Sequence, residues 1–323
     1  MGGSVVGDVF ITSLIRVAML VAMAVPGFLL RKTKMVGDSA VSTLVVVLLY
    51  VGQPFLSISS LIGCEYNPEM LINMAIVLLS GFVFHIALYF LFKPMFIRKT
   101  PDDRKKILLA AALFGNTGFM GIPVIKALFP GVSEMLVYTV VFNISCNIIF
   151  WTLSAYIISG DKKAISIKRA IINPPTIALV VALPIFFFNV QLPAEIGDFI
   201  TSFGDLVSPI AMLILGMRLA DINLKSLFVS SELYICAFVR LIVFPLIVFI
   251  VLFLINLVYK MSYYVIAVQF IVYAMPTANT VLSFAELYKK DGTVAAQSAM
   301  LSTILSIVTI PVMMMLLEVF KMM

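Results

Sequence analysis

Residues 114–124 read Phe-Gly-Asn-Thr-Gly-Phe-Met-Gly-Ile-Pro-Val and lie in the middle of an apolar segment of membrane-spanning length. An ordinary transmembrane helix is continuous, because the hydrocarbon of a bilayer offers its backbone no hydrogen-bond partner. The glycines, the proline and the polar pair Asn116–Thr117 predict a break near the centre of this helix. Such a break is tolerated where it is buried in protein or lines a cavity, which is where transporters bind their substrates.

A second interrupted segment lies in the other half of the chain. Residues 273–279 read Tyr-Ala-Met-Pro-Thr-Ala-Asn and again stand inside an apolar span. A single interruption is equally well explained as a packing kink, because Gly and Pro are common in transmembrane helices. Two matched interruptions, one in each half, predict a secondary transporter whose substrate site is formed by both.

The composition is that of a membrane protein. Apolar residues make up 62% of the 323 residues, charged residues make up 12%, and the mean hydropathy is +1.14. Soluble domains are about half apolar and about one quarter charged, so we expect a polytopic membrane protein. The single histidine and three widely spaced cysteines form no metal-ligand pattern, and we expect no metal and no cofactor. Intramembrane protease motifs are also absent from the sequence, so we do not expect an enzyme.

We predict ten spans, at about 8–30, 37–62, 69–93, 106–128, 134–159, 170–190, 198–218, 231–258, 262–287 and 294–319. Most of the 22 lysines and arginines then fall in loops on one side, namely Arg31, Lys32, Lys34, Lys93, Arg98, Lys99, Arg104, Lys105, Lys106, Lys162, Lys163, Lys168, Arg169, Arg218, Lys225, Lys289 and Lys290. The other side holds Lys126, Lys260 and Lys321. Because basic loops stay in the cytoplasm, this bias predicts a multi-pass protein of the plasma (cytoplasmic or inner) membrane with both termini outside. It also explains the net charge of +6 without a nucleic-acid partner.

Ten spans divide into a first five-helix repeat over residues 1–160 and an inverted second repeat over residues 161–323. The inversion follows because an odd number of spans in the first copy reverses the topology of the second. Matching tripeptides occur at equivalent spans: Gln53-Pro54-Phe55 with Ser208-Pro209-Ile210, and Gly121-Ile122-Pro123 with Ala274-Met275-Pro276. Proline matches at two equivalent spans favour a repeat over chance.

These motifs resemble those of the auxin efflux carriers, a family that includes the plant PIN proteins and bacterial carriers of malonate, malate and related acids. The stretch from Gly115 to Pro123 is similar to the most specific motif of the family, and Ala274 to Ala278 is similar to its span 9 counterpart. Weaker similarities cover the rest of the chain: Gly27 to Lys32, Ile172 to Pro175, Ala211 to Met217, and Arg240 to Pro245.

The resemblance implies ten spans with outer termini, two inverted repeats, and broken helices 4 and 9 that cross each other, as in bile acid symporters and some sodium–proton antiporters. It also implies a scaffold of spans 1, 2, 6 and 7, a mobile transport domain of spans 3–5 and 8–10, and a homodimer. The stretch from Ser159 to Lys168 is short where plant members carry a long cytoplasmic loop. This favours a compact, bacterial-type member.

The two breaks present chemistry that suits an anion. The second half of each broken helix exposes backbone N–H groups with a partial positive charge, and Asn116 and Asn279 add amide donors. We expect Pro123 and Pro276 to hold the breaks open, and the glycines at 118 and 121 to allow close approach of the crossing backbones. The family resemblance assigns substrate binding to Asn116 and to the residues around Pro276. The predicted substrate-binding residues are Asn116, Thr117, Gly118, Gly121, Pro123, Pro276, Thr277, Asn279 and Gln53.

Other polar residues within the spans have two interpretations. Gln53 would line the cavity from the scaffold, although hydrogen bonding between helices explains it equally well. Asn143, Asn147 and Tyr273 are candidates for a supporting or ion site. Asn143 and Asn147 share a helix face, and structural hydrogen bonding is the preferred interpretation of this pair.

Three further residues inside the spans can carry charge. We expect Arg16 to snorkel to the outer interface and Arg240 to snorkel toward the cytoplasm, each as a structural anchor. His85 could carry a proton, but a polar residue packed between helices more often has a structural role.

The sequence therefore predicts a secondary transporter of a small organic anion, auxin-like or a mono- or dicarboxylate such as malonate or malate, that works by elevator-type alternating access. Its expected partners are this anion and membrane lipid. One alternative is a sodium- or proton-coupled ion transporter of the same fold, which needs ionised carboxylates at the crossing, whereas Glu134 and Glu286 lie at span ends. Another is a membrane sensor that does not transport. Coupling to Na⁺ or H⁺ is left open.

Overall fold

The computed structural model describes residues 2–37, 39–62, 64, 67–97, 102–221 and 230–322. In chain order we label its main helices α1 (Val6–Lys32), α2 (Ser39–Ile62), α3 (Pro68–Phe96), α4 (Asp103–Leu113), α5 (Thr117–Leu128), α6 (Ser133–Ser159), α7 (Lys162–Phe187), α8 (Ala194–Asp221), α9 (Ser231–Val258), α10 (Tyr263–Tyr273), α11 (Asn279–Leu287) and α12 (Thr293–Lys321). Some of these contain a short turn or a π-helical stretch. Within the described ranges there is no strand, only one isolated antiparallel bridge.

Eight of these helices, among the residues described, are long and apolar enough to cross a membrane: α1, α2, α3, α6, α7, α8, α9 and α12. The prediction of an all-α polytopic membrane protein is therefore confirmed. The other four are shorter and fall in pairs, α4 with α5 in predicted span 4 and α10 with α11 in predicted span 9. The count of ten spans and the inverted repeat stay predictions.

Side-chain caps set the start of two helices that lead into the centre of the molecule. The Asn67 side chain accepts a hydrogen bond from the Glu69 N–H at 2.9 Å, and Pro68 follows as the first residue of α3. Asp102 likewise accepts from the Arg104 N–H at 3.1 Å at the start of α4. Each cap satisfies a backbone donor that has no partner within its own helix.

The helices pack in two groups. In the first, α8 packs against α1 and α2, and α7 packs against α2. In the second, α3 packs against α4 and α6, α10 packs against α6 and α9, and α12 packs against α4 and α9. Contacts between the groups are also extensive, since α1 packs against α12 and α5, α8 against α5, and both α2 and α7 against α6. The groups contain the same spans as the predicted scaffold and transport domain, and their functional division remains a prediction.

Helices α1 and α8 approach closely because each carries a glycine at the contact. A Cβ atom added at Gly27 would overlap the Leu213 carbonyl group, and one added at Gly216 would overlap the Ala24 carbonyl group. Small residues let membrane helices pack backbone to backbone. This contact is therefore part of the rigid core of the first group.

Ion pairs tie helix ends together: Arg31 with Asp221, Arg104 with Glu232, Lys290 with Asp103, Lys106 with Asp103, and Lys126 with Asp205. The last pair joins α5 to α8 and thus connects the two groups, whereas the others lie within one group. Arg98, Lys99 and Lys225, which contribute to the predicted basic loops, lie outside the described residues.

Candidate functional site

The two breaks pair with each other at the centre of the molecule. The Asn116 N–H donates to the Pro276 carbonyl at 2.7 Å, and the Ala278 N–H donates to the Phe114 carbonyl at 2.9 Å. These bonds form the isolated bridge between Gly115 and Thr277. Each break therefore supplies the hydrogen-bond partners that the other one needs away from water.

Thr277 secures this crossing on two further sides. Its Oγ1 donates to the Ala111 carbonyl at 2.8 Å near the end of α4. Its backbone N–H donates to Ser302 Oγ on α12 at 3.0 Å. Thr277 is a predicted substrate-binding residue, but its hydroxyl and its backbone N–H both donate to other protein groups. These two hydrogen bonds link α4, the start of α11 and α12.

Arg240 binds backbone carbonyls on both sides of the crossing. Its side chain donates to the carbonyls of Met275 at 2.8 Å, Leu113 at 3.0 Å and Val272 at 3.1 Å. These carbonyls belong to the C-terminal ends of α4 and α10 and to the break that follows α10. The side chain is only 1% exposed. The expectation that Arg240 snorkels toward the cytoplasm was wrong, because two helix ends offer it carbonyls deep inside the protein.

The buried charge of Arg240 is matched by helix ends. Arg240 forms no ion pair with the residues that the structure describes, and none of their Asp or Glu side chains is buried. A helix C-terminus carries about half a negative charge, so two of them offset about one cation. The N-termini of α5 and α11 carry partial positive charge, and no buried carboxylate among the described residues neutralises it.

Four amide side chains lie close to these N-termini. Gln53, Asn116, Asn143 and Asn279 are between 4% and 8% exposed. None of these side chains makes a hydrogen bond with another described residue. Their polar atoms keep some accessible surface, so these four amides are open to a polar ligand or water.

Gly118 is the point where two of these amides meet the backbone of α5. A Cβ atom added there would lie 2.9 Å from Gln53 Nε2 and 3.2 Å from Asn143 Oδ1. Gly118 therefore allows close approach, as expected. Close approach does not require glycine at position 121, because a Cβ atom there would make an ordinary 3.4 Å contact with Met275 Cγ.

The role predicted for Pro123 was also wrong. The break spans residues 114–116, and Pro123 follows it inside α5, just after the π-helical stretch Thr117–Gly121. A proline inside a helix leaves one carbonyl without its usual donor, and here it stands next to a local change of helical winding. Pro276, by contrast, lies in the break between α10 and α11, so the two prolines of the matched tripeptides do not occupy equivalent places.

Tyr273 and His85 form a buried polar pair beside the crossing. The Tyr273 hydroxyl lies 2.8 Å from His85 Nδ1, which itself lies 2.7 Å from the Gly81 carbonyl. Cys146 Sγ lies 3.9 Å from both His85 Nε2 and Thr117 Oγ1. These contacts connect α3, α5, α6 and α10, and they favour a structural role for His85.

The remaining predicted residues lie farther out. Asn147 is half-buried on α6, and it belongs to the same helix face as Asn143. Arg16 is also half-buried, and its Nη1 donates to the Leu128 carbonyl at 3.0 Å, at the C-terminal end of α5. It therefore satisfies a helix-end carbonyl as well as anchoring α1.

A cavity of about 540 Å³ opens beside α11. Asn279, the first residue of α11, lines it together with Arg218 and Asp221 of α8, Glu286 of α11, and Gln297 of α12. Its size lies within the range of small-molecule sites. The cavity thus connects the N-terminus of one broken helix with a polar wall.

The structure places two arginines differently from the sequence-based expectation. Arg240 was expected at an interface, whereas its side chain lies at the crossing, and Arg218 was counted as a loop cation, whereas it lies in the last turn of α8. A usable signal existed for Arg240, because broken helices leave C-terminal carbonyls that need donors and few donors stand inside apolar spans.

Comparison with known proteins points to membrane transport. A family model described as membrane transport protein matches residues 12–314. An uncharacterized transporter of Methanocaldococcus jannaschii is 27% identical over 274 residues, which cover 82% of this chain and 85% of that protein. An uncharacterized transporter of Methanothermobacter thermautotrophicus is 26% identical over 219 residues, which cover 65% of this chain and 69% of that protein. The chain therefore belongs to the auxin efflux carrier family of membrane transport proteins.

Proposed function

We propose that this membrane transporter is a secondary carrier that binds a small organic anion where α4–α5 and α10–α11 cross. The observation that carries the proposal is the set of four nearly buried amides without protein partners beside the N-termini of α5 and α11. A carboxylate is acceptor-only when ionised, so amide and backbone N–H donors suit it. The helix N-termini add a favourable field for negative charge.

At the crossing itself, the described residues supply hydrogen-bond donors and one buried cation, Arg240. Arg240 is occupied by carbonyls, so its guanidinium holds the site together instead of gripping the ligand. A carrier must release its ligand, and partial charges bind an anion less permanently than a full charge in a dry site would. This arrangement suits reversible binding.

We further propose an elevator-type motion of α3–α6 and α9–α12 against α1, α2, α7 and α8. The two packing groups support this division. The crossing lies in the second group, while Gln53 reaches Gly118 from the first. A displacement of one group along the other would carry the crossing past Gln53 and change the side from which the site is reached.

The test is binding and uptake by Asn116→Ala. Purified protein is screened by thermal melting against mono- and dicarboxylates and auxin-like aromatic acids, because a ligand that binds the folded state raises its melting temperature. Uptake of the best acid is then measured in proteoliposomes. We expect Asn116→Ala to weaken binding by about tenfold, the effect of one lost hydrogen bond to a charged group, and to reduce uptake accordingly.

The control is the melting temperature of the variant without ligand. Asn116 has no side-chain partner in the described protein, so this temperature should change little. Unchanged affinity and uptake in Asn116→Ala would refute the assigned site. No response of the wild type to any acid would refute the proposed substrate class.

A further inference from the structure

Arg218 is a cation with unused hydrogen-bond donors in the wall of the cavity. It lies in the last turn of α8, and its Nε is buried without a partner. Its side chain forms no hydrogen bond and no ion pair with any residue in the described ranges. A buried donor without an acceptor is unfavourable, and a guanidinium carries five donors in a planar fork.

The acidic residues around Arg218 leave it available. Asp221 lies one turn further along α8, but its Oδ1 accepts from Arg31 Nε at 2.7 Å. Glu286 lines the cavity from α11 and is exposed. Water and salt screen an exposed charge strongly, so Glu286 limits the field of Arg218 only weakly.

Arg218 shares this cavity with Asn279. Asn279 stands at the N-terminus of α11, so one wall carries the anion-binding end of a broken helix and another carries an unpaired guanidinium. The cavity of about 540 Å³ has room for a small acid between them. A ligand with an anionic group at each end would satisfy both walls at once.

We propose that Arg218 binds a second carboxylate of the transported anion, so that a dicarboxylate is selected over a monocarboxylate of the same length. This inference rests on the proposed function, because the first carboxylate is the one held at the crossing. The guanidinium fork matches a carboxylate in two parallel N–H···O bonds, which are stronger and more directional than bonds between neutral groups. Arg218 is therefore a specificity-determining residue on α8, opposite the broken helix.

The experiment compares matched acids on wild type, Arg218→Gln and Arg218→Lys. Succinate with butyrate and malonate with propionate are pairs that differ by one carboxylate at equal chain length. Affinities are measured by thermal shift and by inhibition of uptake in proteoliposomes. We expect Arg218→Gln to weaken dicarboxylate binding by about tenfold or more and to leave monocarboxylate binding within about twofold.

Arg218→Lys keeps the charge and loses the fork, so we expect an intermediate loss for dicarboxylates. It also serves as the readout if Arg218→Gln does not fold. The matched control is Arg169→Gln, whose guanidinium lies 5.5 Å from the centre of the Trp151 ring and is not part of the cavity wall. This variant should keep the wild-type preference.

Four outcomes would overturn the inference. Equal weakening of both members of a pair would make Arg218 a general electrostatic or structural residue. Unchanged dicarboxylate affinity in both variants would exclude contact. Binding of monocarboxylates alone by the wild type would refute the inference and leave the proposed anion carrier standing, whereas binding of neither class would refute both.

Discussion

At the residue scale, one arginine and one glycine decide whether the two breaks can meet. The planar guanidinium of Arg240 donates hydrogen bonds to carbonyls of α4, of α10 and of the break after α10. Gly115 makes room for it, since a Cβ atom at this position would overlap the guanidinium. The charge of Arg240 is tolerated in an apolar span because the helix ends around it are negative.

Gly115→Ala should therefore impair both stability and transport. The added methyl group must displace the Arg240 guanidinium, and carbonyls that lose this donor stay buried without a partner, at about 1–3 kcal/mol each. Melting temperature and proteoliposome uptake measure the two effects.

Gly197→Ala is the matched control for this change. Gly197 lies in α8, and no atom stands within 4 Å of the place its Cβ would take. This variant should be neutral, or more stable by up to about 1 kcal/mol. Full uptake and an unchanged melting temperature in Gly115→Ala would show that Arg240 does not need its observed position.

At the element scale, the first half of broken span 4 is held at both ends. Its C-terminal carbonyls are bound by Arg240 and Thr277. At its start, Asp103 accepts from Lys290 Nζ at 2.7 Å and from Lys106 Nζ at 3.1 Å. Lys290 belongs to the turn between α11 and α12, so this contact fixes α4 against the second broken helix.

Asp103 makes this contact dependent on pH. The hydrogen bond from Lys290, with help from Lys106, lowers the pKa of the Asp103 carboxyl from its ordinary value of 3.8. A lowered folded-state pKa stabilises the fold above the ordinary pKa, and this stabilisation is lost as the pH falls through the folded-state value. The effect should be small, because the Asp103 side chain is 46% exposed.

Thermal melting of wild type and Asp103→Asn from pH 7 to pH 3 measures this effect. The wild type should melt at the higher temperature at pH 7, and the difference should shrink below about pH 4 as Asp103 takes up a proton. Asp198→Asn, at an exposed position of α8, is the control and should show no such trend. A difference that stays constant over the whole range would contradict an ionic contribution.

At the scale of the whole molecule, the proposed motion must break contacts between the two groups of helices. Lys126 on α5 pairs with Asp205 on α8 and thus joins the groups, while Asp103 and Lys290 lie within the second group. A rigid-body displacement separates the first pair and keeps the second pair together. The two pairs therefore distinguish an elevator from local gating.

Crosslinking with a reducible bifunctional thiol reagent tests this difference, because the reach of a lysine side chain exceeds what a direct disulfide spans. Lys126→Cys with Asp205→Cys, once crosslinked, should stop uptake, and reduction of the reagent should restore it. Asp103→Cys with Lys290→Cys is the control, and its crosslinking should leave uptake largely intact. Continued uptake by the fully crosslinked first pair would refute a displacement between these groups.

The sequence could single out candidates for the site but not establish their role. Asn116, Gln53 and Asn279 were singled out because an amide inside an apolar span is conspicuous, and their part in substrate binding stays a prediction. The role of Pro123 was wrongly predicted because a proline near a break looks, in sequence, like the residue that causes it, whereas the break lies at residues 114–116. The position of Arg240 was misjudged because the depth of a long side chain depends on which acceptors lie within its reach.

The sequence by itself determined the membrane class, the approximate positions of the helices and the two interrupted segments, because these follow from local hydropathy and from backbone chemistry that each residue carries with it. Only the tertiary structure decided which carbonyls each break would satisfy, which arginine would lie between the helix ends, and which amides would stay unpaired. Those outcomes depend on partners more than a hundred residues apart in the chain, such as Leu113 and Arg240, whose meeting is set by packing and leaves no periodic trace in the sequence.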